Sequence, residues 1–179
     1  MNDTSFLVRT ARLEMRPWRD SDRPAFERMV ADAEMMRHLT QGRAWRADEV
    51  DEFFARQARH LASHGCCMGA LVLSETGDIV GVAGIQPLDA PGAYELGWWV
   101  WKDYWGRGFA TEAAEALVVH ARDVMGLTRV VAVIDPLNTA SIRVAEKIGM
   151  RFEGIISARD TVARRDDIPI AIYALALRG

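Results

Sequence analysis

Hydrophobic and polar positions along this chain of 179 residues switch between two periods, and the switches mark its elements. Residues 11–17 alternate Leu13 and Met15 with Arg12, Glu14 and Arg16, which predicts a half-buried strand stopped by Pro17. Asp20, Ser21 and Asp22 form a capping cluster ahead of Pro24, and Phe26, Met29 and Val30 recur at helical spacing, so a short helix is predicted over 21–31. Residues 32–47 carry no clear period and read as irregular. Asp48 reads as the cap of a stronger helix through His64, with Val50, Phe53, Phe54, Ala58 and Leu61 on one stripe and Gly65 at its end. Two strands follow over 67–74 and 79–86, joined by the hairpin turn Glu75-Thr76-Gly77-Asp78, and 87–92 reads as a loop.

The second half repeats one theme. Residues 93–101 form an apolar, aromatic strand; a glycine-rich turn, Trp105-Gly106-Arg107-Gly108-Phe109-Ala110, leads into a helix. Its face carries Ala113, Ala114, Leu117, Val118, Ala121 and Met125, and Gly126 closes it. Residues 129–134 are nearly all apolar, as in a strand buried on both faces. Asp135-Pro136-Leu137 breaks that strand, and Asn138 caps a second helix to Ile148, closed by Gly149. Strands are predicted over 151–160 and 168–177, around a charged bend at 163–167. There is no internal repeat, low-complexity stretch or linker. The succession predicts one α+β domain over 1–179, with a mixed sheet and a strand–helix–strand–helix core near 93–148.

Composition narrows the functional classes. The net charge is −3, and the basic pair Arg164-Arg165 is cancelled at once by Asp166-Asp167, which argues against a duplex nucleic-acid binder. The two cysteines, Cys66 and Cys67, are adjacent; neighbours in a strand point to opposite faces, so no disulfide is expected between them. His38, His60, His64 and His120 are scattered, without the spacing of a metal site. The N-terminus lacks the plan of a signal peptide, and no apolar run approaches a membrane span. A cytoplasmic domain with no membrane partner is the expectation, as a monomer or a homodimer.

Gly106-x-Gly108-x-Ala110 is the most informative feature. A helix start leaves several backbone N–H groups without partners and carries about half a positive charge. Small residues let a diphosphate approach those groups, and Arg107 and Thr111 add donors. As a Walker A loop the segment fails, because no G-x-x-x-x-G-K-[ST] is present. As a Rossmann fingerprint it is imperfect: Thr111 stands where the third glycine belongs, although Asp135 mimics the ribose-binding acid, and too few strand–helix–strand units follow. A plain glycine turn entering a core helix is the blandest alternative.

A third reading fits best. The segment resembles the pyrophosphate-binding motif of the GNAT superfamily of N-acetyltransferases, Q/R-x-x-G-x-G/A, with Trp105 at the first position. The string from Glu95 to Glu112, together with the downstream Asn138-Thr139-Ala140-Ser141 to Met150, is similar to the branch containing the ribosomal-protein N-terminal acetyltransferases. The resemblance is specific over about 93–154. It implies a mixed, mostly antiparallel sheet of about six to seven strands with about four helices, and a splayed parallel strand pair, 93–101 and 129–134, holding acetyl-CoA.

It further implies that the pantetheine pairs with backbone groups of Trp99, Val100 and Trp101, one N–H there also serving the thioester oxygen. The diphosphate would lie on the amides of Gly106, Arg107, Gly108, Phe109, Ala110 and Thr111, with Asn138 and Ser141 facing the same cleft. Glu95 is the only acid inside strand 93–101; burial would raise its pKa and suit it to accept the amine proton, directly or through water. Its competing assignment is a pair with an arginine. Strand alternation sets Glu95, Gly97, Trp99 and Trp101 on one face. Many family members carry a tyrosine proton donor seven residues after the asparagine; that position is Ala145 here, which leaves Ser141 as the candidate. Its plainer role is at the helix start, as is Asn138's. Trp98 is expected in the core, Trp45 in the pocket wall, and Met35 and Met36 in either. The implied reaction is acetyl transfer to a primary amine, a protein or peptide N-terminal amine in the first reading. The alternatives are a small-molecule acceptor (amino acid, polyamine or antibiotic) and a degenerate domain that binds acetyl-CoA without catalysis.

Overall fold

Strands satisfy their backbone groups by pairing, and short turns in this chain bring several consecutive strands side by side. The computed structural model describes residues 6–39, 42–90, 92–158 and 168–177. Its strands are β1 (Val8–Arg9), β2 (Leu13–Arg16), β3 (Met68–Leu73), β4 (Ile79–Pro87), β5 (Tyr94–Val100), β6 (Arg129–Ile134), β7 (Arg151–Ser157) and β8 (Pro169–Ala176). They form one sheet in the order β1-β2-β3-β4-β5-β6-β8-β7, antiparallel throughout except for the parallel pair β5 and β6. The mixed, mostly antiparallel sheet is as expected. Its eight strands among the described residues exceed the expected six to seven because β1, two residues long, is too short to show a period. The predicted end of the strand at 151–160 and the bend at 163–167 lie outside the described residues.

The helices are α1 (Arg23–Val30), α2 (Ala33–Met36), α3 (Ala47–His64), α4 (Phe109–Asp123) and α5 (Thr139–Lys147). That is one more than about four: α2, inside the stretch expected to be irregular, is a single turn capped by Asp32, which accepts from the Glu34 and Met35 amides. Two starts also differ from expectation. Residues 20–22 form a 3-10 turn, where Asp22 accepts from Arg16 at 2.6 Å instead of capping α1. Asp48 sits inside the first turn of α3, and the Glu49 carboxylate closes the start by accepting the Arg46 N–H. No helix among the described residues is long and apolar enough to cross a membrane.

Around β4 and β5 the sheet is covered on both faces. On one, Leu96, Trp98 and Val100 of β5 pack with Ala113, Leu117 and Ala121 of α4. On the other, α1–α3 cover β4 and β5 with Phe26, Met36 and Phe53, to which Trp99 and Trp101 are packed. Phe26 and Phe53 stack at 4.6 Å, and truncating such a buried ring costs about 3–5 kcal/mol, so Trp99 rests on a rigid wall.

Candidate active site

The site begins where the parallel pair fails. The ladder between β5 and β6 has one pairing, Glu95 with Val131, and the carboxyl ends of the two strands are left unpaired. A cleft of about 630 Å³ opens there, within the range of ligand pockets. It is lined by Trp98, Trp99 and Val100 of β5, the turn before α4, the starts of α4 and α5, and α2.

Backbone geometry sharpens the expectation for Trp99, Val100 and Trp101. The Trp101 N–H donates to Val80 O at 2.8 Å, and Trp99 pairs with Val82. Alternation along an antiparallel ladder therefore turns the backbone of Trp99 and Trp101 to β4, and that of Trp98 and Val100 to the splay. Val100 C=O accepts the Trp105 indole N–H at 2.6 Å, so the tryptophan in the motif's first position holds the strand end. The edge facing the cleft thus runs through Trp98 and Val100, and Trp101 is not on it, because its N–H is committed to Val80.

The turn into α4 meets the requirement for anion binding. Gly106 and Gly108 have φ of +74° and +80°, left-handed values that L side chains rarely adopt. Gly108 is the cap residue of α4 and gives no side-chain hydrogen bond, so the first-turn amides are left for another acceptor. Gly106, Gly108, Phe109, Ala110 and Thr111 all line the cleft. The Arg107 side chain does not: its guanidinium lies over the Tyr104 ring at 5.1 Å and donates to Asp103 O. Tyr104 itself lines the cleft.

A network from the other end of the chain holds this turn. Glu112 accepts from Thr10 Oγ1 at 2.6 Å, from the Arg12 N–H at 3.1 Å and from Arg12 Nε at 2.7 Å, while Arg12 Nη1 donates to Arg107 O at 3.1 Å. The Arg107 carbonyl thus points to the β1–β2 turn. Burial alone would raise the Glu112 carboxyl; the hydrogen bonds from Thr10 and Arg12 outweigh it and hold the group below its ordinary value.

Asn138 and Ser141 stand as expected at the start of α5 on the cleft wall, Asn138 Oδ1 accepting the Ser141 N–H at 3.1 Å. Ala145 is fully buried in the core. Glu95 is not brought into the cleft. It is 6 % exposed, on the α3 side of β5, and Oε2 accepts from Gln86 Nε2 at 2.8 Å. Gln86 meets Gln57 at 3.3 Å, and Gln57 accepts the Met68 N–H at 2.8 Å. Its partner is therefore an amide chain, not an arginine. Trp98 is buried in the core as expected, with a side on the cleft. Trp45 stands behind Trp99, edge-on at 5.9 Å, and is not among the cleft residues, whereas Met35 lines the cleft and Met36 belongs to the core.

Several cleft residues were not anticipated from the local pattern. Arg143 and Lys147 line it from successive turns of α5; their four-residue spacing is the trace that was readable. His38 lines it from the turn after α2, its Nδ1 2.7 Å from Asp135 Oδ2, and only the fold brings together two residues 97 positions apart.

A parallel pair that splays over an uncapped, glycine-entered helix start is a cleft suited to a diphosphate-bearing ligand, as in the acetyltransferases. Comparison with known proteins agrees: a family model described as acetyltransferase (GNAT) domain matches residues 12–151. The chain belongs to the GNAT acetyltransferase family, whose fold binds acetyl-CoA and whose members transfer its acetyl group to amines. It is similar to an uncharacterized protein, YkkB, of Bacillus subtilis (strain 168), 31% identical over 176 residues, covering 97% of this chain and 96% of that one. Among solved structures it resembles an acetyltransferase from Agrobacterium tumefaciens str. C58 with a TM-score of 0.79 at 28% identity, covering 95% and 94% of the two chains. It shares its fold with the RimL ribosomal L7/L12 α-N-protein acetyltransferase solved in complex with coenzyme A, TM-score 0.77 at 20% identity, with 96% and 98% covered.

Proposed function

We propose that this chain transfers the acetyl group of acetyl-CoA to a primary amine, by direct attack of the amine nitrogen on the thioester carbonyl. The start of α4 carries the reading: left-handed Gly106 and Gly108, no side-chain cap, and first-turn amides on the wall of the cleft. Such a terminus suits a diphosphate. Arg143 and Lys147 supply further positive charge for a phosphate along α5. Bound there, acetyl-CoA supplies an activated carbonyl. The Val100 N–H, on the splay side of β5, suits the oxygen that becomes negative as the amine attacks. Ser141, on the opposite wall, is the hydroxyl suited to the departing sulfur.

The acceptor we assign is the α-amine of a protein or peptide. Its support is the resemblance of the motif string to the ribosomal-protein branch and the fold shared with the L7/L12 enzyme. Acetyl-CoA is expected to raise the melting temperature, and NADH to leave it unchanged; the reverse result sinks the assignment. Thiol release is then measured with peptides, polyamines and aminoglycosides. Fastest turnover with a polyamine or aminoglycoside overturns the acceptor assignment, and tight acetyl-CoA binding with no turnover for any amine overturns transfer itself.

A further inference from the structure

The contact between His38 and Asp135 serves neither the phosphates nor the thioester, and its geometry is that of a poised base. We infer that His38, oriented by Asp135, takes the proton from the incoming amine; the inference rests on the acetyl-transfer reading and deepens it.

Asp135 follows β6 directly, at the open end of the splay. Its carboxylate is fixed from two sides: Oδ1 accepts the Leu137 N–H at 2.8 Å, and Oδ2 meets His38 Nδ1 at 2.7 Å. A carboxylate oxygen only accepts, so the hydrogen of that second contact sits on Nδ1. The neutral ring then keeps its lone pair on Nε2, the arrangement of a histidine base held in one tautomer by an acid. Neither side chain is sealed away, with exposures of 32 % for His38 and 28 % for Asp135, and His38 is one of the cleft-lining residues. Glu95, the other candidate base, has neither property: it is 6 % exposed, off the cleft wall and bonded to Gln86.

The proton balance is complete without another reactant. An ammonium gives one proton to Nε2 and becomes the nucleophile. As the N–C bond forms and the C–S bond breaks, the second N–H proton passes to the departing sulfur, through Ser141 or water. The imidazolium then releases its proton to solvent. The products are an amide, a thiol and one proton. Asp135 acts through His38 and is a positioning residue.

A purely structural tie between α2 and the end of β6 would show the same contact, so the test uses acceptors that differ in their need for a base. His38→Ala is expected to lose about 100-fold or more in kcat/KM with an alkyl amine, the scale of a general base. With an aromatic amine, already neutral near pH 7, the loss stays within about fivefold, because no proton has to be removed before attack. Added imidazole restores part of the alkyl-amine rate. Asp135→Asn, which keeps an acceptor for the Leu137 N–H, shows the same acceptor-dependent pattern with a smaller loss. The acetyl-CoA-induced rise in melting temperature is the same in wild type and both variants. Equal losses for both acceptors without imidazole rescue overturn the inference, as does a His38→Ala rate within about twofold of wild type, a barrier change of only about 0.4 kcal/mol. The acceptor-dependent pattern in Glu95→Gln instead moves the base to Glu95. A wild type that releases no thiol with any amine overturns the transfer reading, and the base with it.

Discussion

Replacing Glu112 by alanine tests whether the glycine turn is held from the far end of the sheet. The carboxylate accepts from the Thr10 hydroxyl, the Arg12 backbone and the Arg12 guanidinium, within the first turn of α4. A hydrogen bond to a charged group is worth about 1.5–3 kcal/mol; the low end applies to Thr10, whose hydroxyl also reaches Leu13 O. The ion pair adds only about 0.5–1 kcal/mol, because Arg12 is 47 % exposed and screened. An acid at a helix start adds about 0.3–1 kcal/mol. The sum is about 2.3–3.5 kcal/mol, or about 5–14 °C in melting temperature for a chain of this size. Loss of the Arg12 contact to Arg107 O should also loosen the turn, weakening acetyl-CoA by about 3–10-fold, or about 0.7–1.4 kcal/mol. Thermal unfolding and an acetyl-CoA titration read the two effects separately. The sign with pH is fixed: the folded carboxyl titrates below its unfolded value of 4.5, so its contribution is present above that pH and is lost as pH falls below it. Glu112→Gln should therefore flatten the acid limb of the stability curve. A melting temperature within about 2 °C of wild type, or an unchanged acid limb, refutes the network.

Two further outcomes follow from the same geometry. Arg143→Ala combined with Lys147→Ala should weaken acetyl-CoA by about tenfold, or about 1.4 kcal/mol, and reduce the salt dependence of binding; unchanged affinity by calorimetry removes this pair from the site. Burial pushes the Cys66 thiol up to about 11, and burial with the neighbouring Cys66 pushes Cys67 up to about 12. Both should resist iodoacetamide at pH 8 until the chain unfolds, and labelling of the native protein at the rate of a free thiol contradicts that burial.

Elements held by local rules were readable from the residues: the β3–β4 hairpin, the α3 stop at Gly65 (φ +68°) and the Asn138 cap each rest on signals a few residues long. The glycine turn proposed for the phosphates was legible for the same reason, since Gly106 and Gly108 adopt the backbone only glycine takes easily. What pattern could not reach was contact across the fold. The Arg12–Glu112 network joins residues 100 positions apart, and the His38–Asp135 pair 97. Glu95 is the instructive case. Its face was read correctly, but burial on a strand does not say whether a carboxylate meets the cleft or an internal amide such as Gln86.

Topology and capping together distinguish the start of α4, proposed for the diphosphate, from the start of α5. Because β5 and β6 run parallel, the helix that follows each begins at the same end of the sheet, so two positive helix ends face one cleft. They are not equivalent. At α5 the Asn138 side chain already accepts the Ser141 N–H, which satisfies part of that terminus internally. At α4 the cap residue is Gly108, which has no side chain to offer, and its left-handed backbone turns the chain without covering the amides. One terminus is closed by its own sequence and the other is left for a ligand. The division follows from two residue choices, glycine at 108 and asparagine at 138. At the α5 side, Arg143 and Lys147 offer side-chain charge in place of open amides, and Ser141 at its start is the hydroxyl proposed for the proton.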